Sequence, residues 1–333
     1  MTAKFPAKRL TLLALPLAAA AGFATLAQAD DWTPSRSIEF IAPANPGGGW
    51  DTLVRTTSRV LQEEGLADQN FAAINVPGGG GAVAWAQIAR DSGNPHKLFA
   101  TSPPIILVPL AGTSRHDHTD FTPIARLITD YSIVLVRDDS PYSDLNELFA
   151  AIEERPNLSI GGGSAPGSMD HISVAGLASA AGLNASEVNY VPFSGGGEAM
   201  TSLMGGHVEA VITGAGEASG QLGEGSQVRA LGVSAPERMG GVLADVPTYQ
   251  EQGIDYTFDI WRGVMGAPDM PEEAVAYYED LFAQMLETDG WEQARDQLGW
   301  IDAYQNSEEF GTFLDEQQEQ FREVLNDLGL LGQ

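Results

Sequence analysis

Three glycine-rich turns, each set between an apolar strand-like run and a helix-like run, constrain this chain more than any other feature. They are Pro46-Gly47-Gly48-Gly49-Trp50-Asp51 after 37–43, Pro77-Gly78-Gly79-Gly80-Gly81 after 71–76, and Gly161-Gly162-Gly163-Ser164 after 158–160. Such a turn points unpaired backbone N–H groups at one spot, and the helix that follows adds the positive end of its dipole. A carboxylate or phosphate is the natural occupant. In the first turn Pro46 fixes φ, and three successive glycines cost conformational entropy that a simple capped turn does not require. The loop is therefore expected to touch ligand. Asp51 opens the next helix and is expected to organise the loop amides, because a carboxylate facing an anion would repel it. Trp50 either walls the site or lies in the core.

Short apolar runs alternate with amphipathic stretches along nearly the whole chain, which predicts α/β layers with a mainly parallel sheet. Strands are expected at 38–43, 72–76, 98–101, 132–136, 158–160, 187–191, 210–213, 230–233 and 261–266. Helices are expected at 51–64, 82–91, 143–154, 169–181, 197–205, 271–287 and 307–328, the last acidic and amphipathic. The glycine turns then fall at strand carboxyl ends, where open α/β sheets place their ligands.

The N-terminus reads as an export signal. Lys4, Lys8 and Arg9 precede an apolar run at 10–21, and Ala27-Gln28-Ala29 supplies a small-residue cleavage site before Asp30. Residues 1–29 are thus expected to be a signal peptide, leaving 333 − 29 = 304 residues for two lobes of an exported mature protein. Removing three cations leaves 17 − 3 = 14 basic against 45 acidic residues, a mature formal charge of −31. Nucleic acid and anionic membrane surfaces are poor partners for such a chain. Lys97 is the sole lysine after the leader, and a carboxylate-rich, lysine-poor surface points to a halophilic, salt-screened setting. Cysteine is absent, so neither disulfides nor thiol chemistry operate.

Enzyme classes find little support. Gly79-Gly80-Gly81-Ala82-Val83-Ala84 matches a loose dinucleotide fingerprint, but Pro77 intrudes and no acidic residue follows about twenty positions on. No Gly-Lys-Ser/Thr follows any glycine cluster, no Gly-x-Ser-x-Gly elbow occurs, and five histidines offer no nucleophile–base–orienter set. His116 and His118 lie among Asp117, Asp120 and Arg115 without a third well-spaced metal ligand. No catalytic residue, cofactor or metal is expected.

The order of motifs resembles the periplasmic solute receptors of tripartite tricarboxylate transporters, the Bug receptors, over about 35–330. Ile41-Ala42-Pro43-Ala44-Asn45-Pro46-Gly47-Gly48-Gly49-Trp50-Asp51 is similar to the family's first ligand loop and Asn75-Val76-Pro77-Gly78-Gly79-Gly80-Gly81 to its second. Gly163-Ser164-Ala165-Pro166-Gly167-Ser168 with His171 resembles the start of the second lobe's ligand-facing helix. Val191-Pro192-Phe193-Ser194-Gly195-Gly196, followed by Leu203-Met204-Gly205-Gly206-His207-Val208-Glu209, is similar to a segment that usually carries Tyr-Lys-Gly where this chain has Phe193-Ser194-Gly195. Ala230-Leu231-Gly232-Val233 with Asp245-Val246-Pro247-Thr248 completes the order. The resemblance implies a type II-like, two-lobed periplasmic binding protein with two hinge crossings: 30–129 and 234–333 as one lobe, 130–233 as the other. It implies a monomer that closes on a small organic carboxylate and delivers it to membrane permease subunits. Ser194 in place of lysine removes a cation from the second lobe's cleft.

Among single side chains, Thr101, Ser102, Ser164, Ser168 and Thr213 can donate hydroxyls to carboxylate oxygens or serve as caps. His171 lies in the first turns of a helix and either touches ligand or is half-buried. Arg262 sits in the apolar run 258–266 directly after Trp261. A guanidinium keeps its charge on burial and so needs an anionic partner. Trp261-Arg262-Gly263 resembles receptors for tricarboxylates, so Arg262 is expected to clamp a carboxylate of a citrate-like ligand. The alternative is an ion pair with an acidic neighbour such as Asp259. Dicarboxylates, or an aromatic acid read by Trp50, Phe193 and Trp261, are the other ligand classes.

Overall fold

A computed structural model describes Met1 and residues 32–332. The expected leader and its Ala27-Gln28-Ala29 site lie outside the described residues. No helix among them is long and apolar enough to cross a membrane.

The strands are β1 Ile38–Ala42, β2 Phe71–Asn75, β3 Lys97–Thr101, β4 Thr122–Arg137, β5 Ser159–Gly162, β6 Asn189–Pro192, β7 Ala210–Gly214, β8 Val228–Val233, β9 Asp259–Gly266 and β10 Ile301–Gln305. The helices are α1 Gly49–Glu63, α2 Ala82–Ile88, α3 Pro104–Leu110, α4 Leu145–Glu154, α5 Met169–Ala180, α6 Gly196–Met204, α7 Ala215–Ala218, α8 Glu272–Leu286, α9 Asp289–Leu298 and α10 Ser307–Asp327. The sheet is ordered β2-β1-β3-β9-β4-β7-β5-β6, with β8 and β10 also on β4.

The expectation of a mainly parallel sheet is corrected. β1 runs parallel to β2 and β3, and β5 runs parallel to β6 and β7. Every pairing made by β4, together with β3 on β9, is antiparallel. β4 explains the difference. This 16-residue strand is buried over most of its length, so it needs partners on both edges at both ends. Its first part pairs with β9 and β10, and from Ser132 onward it pairs with β7 and β8. One strand therefore belongs to two sheet portions, and it changes partners at 130–132.

The apolar clusters follow the same division. Ile38, Phe40, Leu53, Leu98, Val264, Phe282 and Phe310 belong to one. On the other side of the partner change, Val134, Leu148, Ile160 and Leu177 form a second cluster, and Ile133, Leu203, Val211 and Val228 form a third. The returning chain crosses beside the outgoing one. Ser234 N–H donates to Ser132 O at 2.8 Å, and Ser132 N–H donates to Ser234 Oγ at 2.9 Å. This is the two-lobed α/β architecture, with two crossings held side by side.

Candidate functional site

A cavity of about 260 Å³ opens where β1, β3 and β5 end, lined by all three glycine loops, Ser102, the 192–196 loop, Asp170, Glu217 and Arg262. The loops of the two sheet portions meet over it. A β-carbon built on Gly80 would lie 3.3 Å from Ala165 Cβ, and one on Gly195 would lie 4.0 Å from Gly48 Cα.

The first two loops are held open toward this space by a buried carboxylate. Asp51 Oδ2 accepts from Gly47 N–H at 2.9 Å. Its Oδ1 accepts from Arg55 Nε at 2.8 Å and from Asn75 Nδ2 at 2.8 Å, which ties β2 to the first loop. Burial disfavours the charged form, but Arg55, Gly47 and Asn75 outweigh it and hold the Asp51 pKa below the usual carboxylate value. The sequence-based role of Asp51 as organiser matches this geometry. The N–H groups of Gly49 and Trp50 open α1, where no intrahelical acceptor exists. In the second loop Gly78, Gly79, Gly80 and Gly81 all have positive φ, between 59° and 127°. Residues with a β-carbon strongly disfavour four such positions in a row. Gly48, Gly49, Trp50, Gly78, Gly79 and Gly80 line the cavity, whereas Pro46, Gly47, Asp51 and Pro77 shape the loops from behind. Trp50 does both things expected of it: it lines the cavity and meets Trp85 edge-on at 6.5 Å.

The third glycine run is not a free anion cradle. A β-carbon on Gly163 would lie 2.2 Å from Gly196 N, and one on Gly162 would lie 2.6 Å from Tyr190 Oη. These glycines let β5 close against α6 and β6. The group facing the Gly163 amide is the chain's own Asp170 carboxyl. Ser164 Oγ accepts from Asp170 N–H at 2.8 Å and so caps the start of α5.

Arg262 lines the cavity at 2 % exposure, yet its charge is already opposed. Nη2 lies 3.2 Å from Asp130 Oδ2 and 3.3 Å from Glu217 Oε1. The acidic neighbour expected for an ion pair, Asp259, is not among its partners; the opposing carboxyls come from β4 and α7. Asp130 sits where β4 changes partners, and it also accepts from Tyr131 N–H at 2.8 Å and Gly216 N–H at 3.1 Å. Burial pushes Asp130 and Glu217 above the usual carboxylate range even beside the guanidinium.

Of the remaining expected site residues, Ser102, Ser164, Ser168, Phe193, Ser194 and Gly195 line the cavity. The hydroxyls of Ser102 and Ser168 are buried without a hydrogen-bond partner. Thr101, Thr213 and His171 do not line it. Thr213 Oγ1 donates to Glu217 Oε2 at 3.2 Å, a supporting contact. His171 Nδ1 accepts from Gly167 N–H at 2.8 Å, and its ring stacks on Tyr190 at 4.8 Å, so it fixes the third loop from behind. Burial lowers its pKa and favours the neutral ring that can accept. Trp261 packs edge-on against Phe310 and Phe313 in the core. His116 pairs with Asp120 and His118 with Asp315, each at 3.0 Å. The lining carboxyls Asp170 and Glu217 escaped the sequence reading. Each is a lone acid among small and apolar residues just after a buried strand, which is the signal that could have marked them.

A two-lobed α/β fold with amide and hydroxyl donors converging on a cleft at strand ends defines a solute-binding receptor. Comparison with known proteins agrees. The model of the tripartite tricarboxylate transporter family receptor matches residues 58–330, and the chain belongs to that family. Protein BugT of Bordetella pertussis is 29 % identical over 256 residues, covering 74 % of this chain and 75 % of BugT. The structure of the periplasmic binding protein BugD shares the fold, with TM-score 0.82 at 22 % identity over 90 % of this chain and all of BugD. MatC from Rhodopseudomonas palustris, solved with bound malate, has TM-score 0.77 at 25 % identity, covering 88 % of this chain and 99 % of MatC. These neighbours are solute-binding receptors rather than enzymes, and so is this chain.

Proposed function

We propose that the protein is an extracytoplasmic receptor for a small dicarboxylate, which it hands to the permease of a tripartite tricarboxylate transporter. One ligand carboxylate is taken by the N–H groups of the first two glycine loops with the Ser102 hydroxyl, and the other meets the Ser168 hydroxyl. The observation that carries this reading is the pair of unpartnered buried hydroxyls, at 1 % and 0 % exposure, in a cavity also walled by glycine loops. A buried hydroxyl without a partner costs free energy that a ligand oxygen recovers. The tricarboxylate expected from Arg262 is less well supported, because that guanidinium already faces Asp130 and Glu217. The malate bound by MatC supports a ligand of the dicarboxylate class.

Residues 30–129 and 234–333 act as one lobe and 130–233 as the other, closing about the paired crossings at Ser132 and Ser234. Mass spectrometry of ligand retained through native purification, with calorimetry against malate, citrate and benzoate, tests the assignment. Malate should bind with the highest affinity. Tighter binding of citrate would return Arg262 to the role of clamp.

A further inference from the structure

The cavity wall around Arg262, whose guanidinium lies against Gly49 of the first glycine loop, is built from carboxyls. Asp170 is 3 % exposed and the Glu217 side chain 9 %; both line the cavity together with Arg262. Counting Asp130 behind Arg262, three carboxyls surround one guanidinium. If all three were ionised, this end of the cavity would carry −3 + 1 = −2 formal charges. An anionic ligand entering that space meets repulsion from these carboxyls and attraction from the glycine amides. The unpartnered Ser168 hydroxyl, one residue from the start of Asp170's helix, marks the same end as built for a ligand oxygen.

We propose that Asp170 reads the ligand as a neutral carboxylic acid, donating its proton in a hydrogen bond to the ligand's second carboxylate, so that binding of a dicarboxylate is coupled to a proton. This rests on the receptor reading above and deepens it by naming the group that recognises the far end. The groups facing Asp170 come from every element packed on it. They are Glu217 on α7, Arg262 on β9, Tyr190 on β6, and the Gly163 amide and Ser164 hydroxyl of the β5–α5 loop. His171, next in sequence, turns to Gly167 and Tyr190. Burial and then the Glu217 charge raise the Asp170 pKa to about 8, against Gly163, Arg262 and Ser164. At neutral pH the carboxyl thus holds a proton. A carboxylate placed beside it raises the pKa further, because the charged pair is the costly state.

Affinity is fully present below the free protein's Asp170 pKa and falls as pH rises through it, because the proton must then be taken from solvent. Malate is fully ionised across pH 7 to 9, so its own titration adds nothing. Calorimetry should show malate bound about tenfold more weakly at pH 9 than at pH 7. Titrations in buffers of different ionisation heat should show net proton uptake near pH 8. The monocarboxylate 3-hydroxybutyrate, held by the amide end alone, should bind with little pH dependence. Asp170→Asn, which keeps a neutral donor that cannot titrate, should flatten the malate profile.

A flat wild-type profile with malate bound overturns the proposal and leaves the receptor reading standing. So does a pH-dependent profile that survives in Asp170→Asn. Tighter binding of 4-aminobutyrate than of malate at pH 8 overturns it in another way, by showing ionised carboxyls that hold a cation. Failure of both malate and 3-hydroxybutyrate to bind at any pH sinks the carboxylate reading itself. If Asp170→Asn does not fold, the wild-type profile and the proton count still decide.

Discussion

Replacing Arg262 by methionine keeps length and apolar volume while removing the charge that opposes Asp130 and Glu217. The side chain is 2 % exposed and those of Asp130 and Glu217 are 0 % and 9 % exposed, so solvent compensates little for the lost cation. Removing one member of a buried pair costs about 3–5 kcal/mol, because an uncompensated charge remains. At about 2 °C per kcal/mol for a chain of this length, the melting temperature of the empty protein should fall by roughly 6–10 °C. The loss should also depend on pH. With Arg262 gone, Asp130 and Glu217, already pushed upward by burial, rise further. Acids whose folded pKa is raised stabilise the fold below their unfolded pKa, and that contribution disappears as pH rises through the folded value. The deficit of Arg262→Met should therefore be small at pH 5 and large at pH 8. Calorimetric melts of both proteins at the two values test this, and adding Asp130→Asn and Glu217→Gln should restore part of the loss at pH 8. An unchanged melting temperature at pH 8, accompanied by lost ligand affinity, would refute the structural role and make Arg262 a ligand clamp.

Gly163→Ala places a β-carbon 2.2 Å from Gly196 N and 2.4 Å from Gly195 C, where backbone cannot give way cheaply; a loss of about 1–3 kcal/mol is expected in denaturant titrations, with weaker ligand binding. An unaltered midpoint would mean that α6 is free to retreat. His171 has a pKa lowered by burial, so its stabilisation is present above about 6.5 and is lost as pH falls through the folded value. His171→Gln, which retains an acceptor for Gly167 N–H, should remove part of the acid-side decline in melting temperature, and an identical decline in both proteins would speak against that role. With 45 acidic against 17 basic residues over the whole chain, the protein should also melt higher in molar sodium chloride, as the Debye length shrinks from about 10 Å at 0.1 M to about 3 Å at 1 M. Flat or falling melting curves would count against a halophilic adaptation.

Local chemistry determined a good deal. Period and punctuation located β1, β2, β3 and β9 and helices α1, α5, α6, α8 and α10 to within a few residues, because each is an apolar or amphipathic run bounded by Gly, Pro or a cap. Two glycine loops that line the cavity were legible as special backbone for the same reason: a run of positive φ at 78–81 has no inexpensive alternative residue. The elements that escaped, β10, α3, α7 and α9, carry weak periodicity, and β10 exists because β4 offers it an edge.

Sequence spacing could not say which carboxyl meets which cation. Asp130, Glu217 and Arg262 are separated by 45 to 132 positions and come together only where β4 changes partners. Tertiary structure alone therefore turned Arg262 from an apparently free clamp into a paired charge. It likewise filled the third glycine cradle with Asp170 and moved His171 and Thr213 behind the cavity wall. A glycine run specifies its own backbone, whereas the charge balance of a buried site is a sum over residues that only folding brings within a few ångströms.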